Sequence, residues 1–99
     1  MSLNVSARMK TLLGSYRPEV WEVDDIPEII ASFGVEGVSK LHEEAEELLR
    51  KKRINTEFIE AMTAWELPND KKARDFFIQF SQLLSGNADI VPDIADFTD

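Results

Sequence analysis

Apolar residues recur along this chain at intervals of three and four, which is the spacing of one face of an α-helix. Met9, Leu12 and Leu13 share a side of a first segment, about Ser6 to Leu13, that stops at Gly14. Arg17-Pro18 then breaks the chain, because the residue before proline is pushed out of the helical region. Asp25-Ile26-Pro27-Glu28 reads as a helix start. Aspartate can accept from free N–H groups there, and proline in the first turn loses no needed hydrogen bond. Ile26, Ile29, Ile30 and Phe33 follow at helical spacing, and Gly34 predicts a left-handed stop.

Val38, Leu41, Ala45, Leu48 and Leu49 mark the inner face of a longer helix, about Glu36 to Lys52. Glutamates fill its first part and Arg50, Lys51, Lys52 and Arg53 its end, an order that complements the helix dipole at both ends. Glu46–Arg50 and Glu47–Lys51 have the i,i+4 spacing of ion pairs. Asn55 is placed to cap a helix from Thr56 to about Trp65, with Ile54 and Ile59 spaced as a hydrophobic staple and Phe58, Met62 and Trp65 as its apolar face. Leu67-Pro68-Asn69-Asp70 interrupts and recaps the chain with an aspartate. The last long helix, about Lys71 to Ser85, carries Ala73, Phe76, Phe77, Phe80, Leu83 and Leu84 and ends at Gly86.

No useful stretch alternates with the period of two that a strand requires. The expected fold is therefore all-α, a small bundle of four to five short helices with an irregular C-terminal segment. Residues 1–86 form the bundle domain. Residues 87–99 form an acidic, apolar segment that packs on the bundle or binds a partner. Ile90, Val91, Ile94 and Phe97 are too apolar for a freely solvated tail. The favoured conformation is extended through Val91-Pro92, followed by one helical turn laid back on the bundle. A faint echo between Trp21-Glu22-Val23 and Trp65-Glu66-Leu67 is best read as two loops, each anchored to the core by a tryptophan.

Composition narrows the chemistry. The 99 residues suit one domain, and the absence of cysteine excludes disulfides, thiolate metal sites and thiol catalysis. No apolar run is long enough to cross a bilayer, no secretory signal is visible, and the expected location is cytoplasmic. His42 is the sole histidine. His42-Glu43-Glu44-Ala45-Glu46 thus lacks the second ligand of a zinc helix, and no serine triad or phosphate loop has a supporting motif. The last aspartates lack calcium-loop spacing. Catalytic, cofactor-binding and metal-binding residues are expected to be none, with His42 a boundary residue meeting Glu46.

Charge points to recognition. The net charge is −8, which disfavours direct contact with nucleic acid or an anionic membrane and favours a basic protein partner. The acids are segregated. Residues 19–47 hold ten acids and one base, and the last thirteen residues hold four aspartates and no base. Candidate partner-binding residues are Asp24, Asp25, Glu43, Glu44, Glu46, Glu47, Asp89, Asp93 and Asp96, with Trp21 or Trp65 as an anchor wherever one is exposed. In size, charge and helicity the chain is similar to small acidic helical proteins that neutralise a basic toxin, such as bacterial immunity proteins. No diagnostic residues accompany that likeness, so no binding residue carries over from it. The expected function is a non-catalytic protein-binding module of that kind. The alternative is a structural or assembly subunit, of a phage or of another complex, that oligomerises through helix faces. An enzyme using paired carboxylates comes third. Oligomeric state is left open by the sequence.

Overall fold

A computed structural model describes residues 5–17, 26–86 and 94–98. Among these the chain is all-helical, with five α-helices and no strand. They are α1 (Ala7–Gly14), α2 (Ile26–Ser32), α3 (Gly34–Arg50), α4 (Thr56–Thr63) and α5 (Asp70–Leu84), followed by a 3-10 turn, Ile94–Phe97.

The helix starts follow local chemistry. The Ser6 hydroxyl accepts from the Met9 N–H at 3.2 Å, and the Asn55 and Asn69 side chains accept from Phe58 and Lys72 at 2.8 and 2.9 Å. Each satisfies one of the N–H groups that a helix start leaves without a partner. The start of α5 corrects the expected aspartate cap. Asn69 caps the helix, and Asp70 instead reaches back to accept from the Thr56 N–H at 3.0 Å, joining the first turns of α4 and α5. Ile54 and Ile59, the expected staple, are both buried.

The helix ends are less predictable. Gly34 has φ +73° as expected, but it opens α3 directly after Phe33, so α2 and α3 meet at a corner one residue long. Gly37, one turn on, is where that corner needs a missing side chain, since a Cβ would lie 2.9 Å from that of Phe33. α3 stops at Arg50, two residues early, because Lys52 is left-handed with φ +56°. Lys52 then donates to the Leu49 carbonyl at 3.1 Å and Arg53 to that of Leu48 at 3.0 Å, which is the Schellman arrangement with lysine in the glycine position. α4 stops at Thr63 because Ala64 is left-handed with φ 65°. Trp65 therefore follows the helix rather than lying on its face.

The core is built on α5. Ala73, Phe76, Phe77, Phe80 and Leu84 lie along one face of α5 and are buried. α3 packs most extensively against this helix, which also meets α4 and the C-terminal turn, while α1 packs on α2, α3 and α4. Tyr16, fully buried just after α1, meets Phe76 edge-on with ring centres 5.3 Å apart. Phe58 of α4 meets Phe77 at 5.8 Å and 90°. Phe97 of the C-terminal turn meets Phe76 at 5.7 Å, and Ile94 beside it is buried. The turn expected from the sequence is thus laid back on the bundle. Ile90, Val91 and Pro92, which were expected to lead into it, lie outside the described residues.

Two outcomes test this account. Phe76→Ala should destabilise the fold by about 3–5 kcal/mol, a large share of the roughly 5–15 kcal/mol that holds a small domain together. Urea titration followed by far-UV circular dichroism measures it. By contrast, Ala64→Gly should raise the urea midpoint, by about 0.5–1 kcal/mol of stability, since glycine adopts the left-handed region without the steric cost alanine bears. An unchanged or lower midpoint would mean that Ala64 is not left-handed in solution.

Candidate acidic interaction surface

α3 places its charges in two sets. With about 3.6 residues per turn, Glu36, Glu43 and Glu47 at i, i+7 and i+11 line the side facing away from Leu41, Ala45 and Leu48. All three glutamates are exposed. Glu43 makes no ion pair or hydrogen bond among the described residues. Its carboxylate is free for an outside cation.

The other candidate glutamates on α3 have work within the fold. Glu44 is half-buried and receives two bonds from Ser6, from the backbone N–H at 2.7 Å and from the hydroxyl at 2.6 Å. This pins the first turn of α1 to the middle of α3. Glu46 accepts from the buried Ser81 hydroxyl of α5 at 3.0 Å and meets His42 Nε2 at 3.2 Å. The expected His42–Glu46 contact is therefore present, and it sits beside a bond between the two principal helices. Glu47 meets Lys51 at 3.1 Å, as expected, and Arg50 at 3.7 Å. The expected Glu46–Arg50 pair does not form, because Glu46 turns toward α5 and leaves Arg50 to Glu47.

Among the aspartates and tryptophans, Asp96 is exposed on the C-terminal turn. Trp65 is half-buried and packs against the core, and its indole N–H donates to the Tyr16 carbonyl. It therefore fills the loop-anchor role read from the sequence and is not an exposed docking residue. Trp21, Asp24, Asp25, Asp89 and Asp93 lie outside the described residues. Among the described ones, no three acidic or histidine side chains cluster as metal ligands, and no helix is long and apolar enough to cross a membrane.

Two features of the surface escaped the sequence reading. Val35, in the first turn of α3, is 90% exposed, beside the half-buried Phe33 and Val38. It belongs to neither apolar series read from the sequence, and it stands just past the sharp corner at Gly34. Where α3 ends and α4 begins, Val5, Glu44, Glu47, Leu48, Lys51, Arg53 and Phe58 line a cavity of about 190 Å³. Its lining comes from three separate stretches of chain, so no single motif announces it.

The Lys51 ammonium, hydrogen-bonded to the Glu47 carboxylate with Arg50 adding its charge, holds the Glu47 carboxyl below the usual glutamate range. A carboxyl depressed in the folded state favours folding above its unfolded value and loses that contribution as acid titrates it in the fold. Glu47 is solvent-exposed, so the effect should show as a titration and hardly as stability. Carbon-detected NMR should find the Glu47 carboxyl titrating below the ordinary glutamate range in the wild type, and Lys51→Met should raise it. Compared with family models, curated proteins and solved structures, the chain finds no match.

Proposed function

We propose that this chain is a non-catalytic, acidic protein-binding module for a basic protein partner, in its most concrete form a toxin-neutralising immunity protein. One observation carries the reading. Glu36, Glu43 and Glu47 line the outer side of the longest helix, while Glu44 and Glu46 hold that helix to α1 and α5. The acidic row thus sits on a backbone braced against movement, as a rigid charged surface should. Such a row steers a basic partner during approach, and contacts made after encounter set the lifetime of the complex.

Reversing charge at positions with no internal duty tests this without disturbing the core. Immobilised wild-type protein would first isolate a basic partner from source extract, and its association would then be timed by stopped flow. At low salt, Glu36→Lys combined with Glu43→Lys should slow association about tenfold, and the difference should shrink as salt rises. Equal rates for variant and wild type, with helicity intact, would remove the α3 row from the interface.

Val35 favours a second reading, an assembly subunit that buries this corner against another chain. Sedimentation at micromolar concentration separates the two. The first reading expects a monomer, whereas an oligomer that falls apart on Val35→Asp would establish the second.

A further inference from the structure

The four consecutive cations at the end of α3 are only half explained by the fold. Arg50 and Lys51 share the single carboxylate of Glu47, and Lys52 and Arg53 form no ion pair among the described residues. One local corner of an acidic protein is therefore left with a surplus of positive charge. It adjoins the 190 Å³ cavity, whose floor is the buried Leu48 and Phe58 with half-buried Val5. The Schellman bond from Arg53 N–H to the Leu48 carbonyl fixes where Arg53 leaves the helix, and Arg53 lines the same cavity as the apolar floor.

The partnering at the rim selects among ligands. Lys51 is occupied by Glu47, and Glu44 already receives both Ser6 donors. Arg53 is the lining cation with no carboxylate partner among the described residues. A guanidinium presents a planar fork that matches a carboxylate with two parallel hydrogen bonds. The volume is of the order of the roughly 150 Å³ in which an apolar cavity accepts benzene, and here the space opens to solvent at a charged rim. The geometry points to a binding site for a single benzene-sized apolar group carried next to a carboxylate, with the ring on Leu48 and Phe58 and the carboxylate on Arg53. The site shares Glu47 with the acidic row of α3 but does not involve Glu36 or Glu43, the positions reversed in the association test, so the two readings fail separately. The chemistry is shared by small aromatic carboxylates and by a peptide ending in an aromatic residue.

Titration of 15N-labelled full-length protein with 3-phenylpropionate tests the site. Saturable shifts are expected at the Leu48, Arg53 and Phe58 amides, with millimolar affinity. Arg53→Gln, an exposed substitution outside the core, should weaken binding at least fivefold, and benzylamine should bind the wild type at least fivefold more weakly than the acid. N-acetyl-Gly-Phe separates the sources. If it binds as tightly as phenylpropionate, the site reads a chain terminus; if it is excluded while phenylpropionate binds, the site takes a free small carboxylate. Absence of saturable shifts with both acids, equal binding of benzylamine, or an unchanged affinity in Arg53→Gln would overturn the assignment.

Discussion

The fold depends on the aromatic face of α5. Phe76, Phe77 and Phe80 are fully buried, and three other parts of the chain each set an aromatic ring against one of them. Tyr16 brings in the end of α1, Phe58 brings in α4 and Phe97 brings in the C-terminal turn. These rings meet mostly edge to face, where the electropositive rim of one lies against the electronegative face of another. Each short helix alone would be marginal in water, being below the length at which helices persist unaided. Burial against a common aromatic surface is what makes them stable together, and loss of one central ring is felt by several elements at once.

A second constraint is the division of labour among the α3 carboxylates. A charged side chain gains most when it answers a donor that a helix end or an interface would otherwise leave without a partner. Glu44 does this for the N-cap residue of α1, and Glu46 does it for a hydroxyl buried on α5. Glu43, with neither duty, is left as surface charge. The same helix thereby braces the bundle and displays an acidic edge, which is the arrangement a steering surface needs.

The junction of α3 and α4 shows how a helix end can shape a pocket. Left-handed Lys52 ends α3, turns the chain and places Arg53 beside Leu48. Phe58 closes the floor from the first turn of α4, and Val5 comes from ahead of α1. A small apolar floor next to a guanidinium is therefore a product of chain reversal, and the acidic average of the molecule conceals it.

By itself, the sequence determined the helical class, the Asn55 cap of α4 and most of the buried face of α5. Those properties rest on residues close together in the chain: an asparagine three residues before the N–H it accepts from, and apolar groups at intervals of three and four. It also determined that Ile94 and Phe97 would seek cover, because such side chains are costly to leave in water. Only the tertiary structure decided which glutamates serve the fold, since the Glu44–Ser6 and Glu46–Ser81 bonds span 38 and 35 residues. It likewise decided that α3 and α4 stop early, because Lys52 and Ala64 adopt a backbone conformation their own side chains disfavour. Packing of the flanking segments holds them there, and no local preference of lysine or alanine could have announced it.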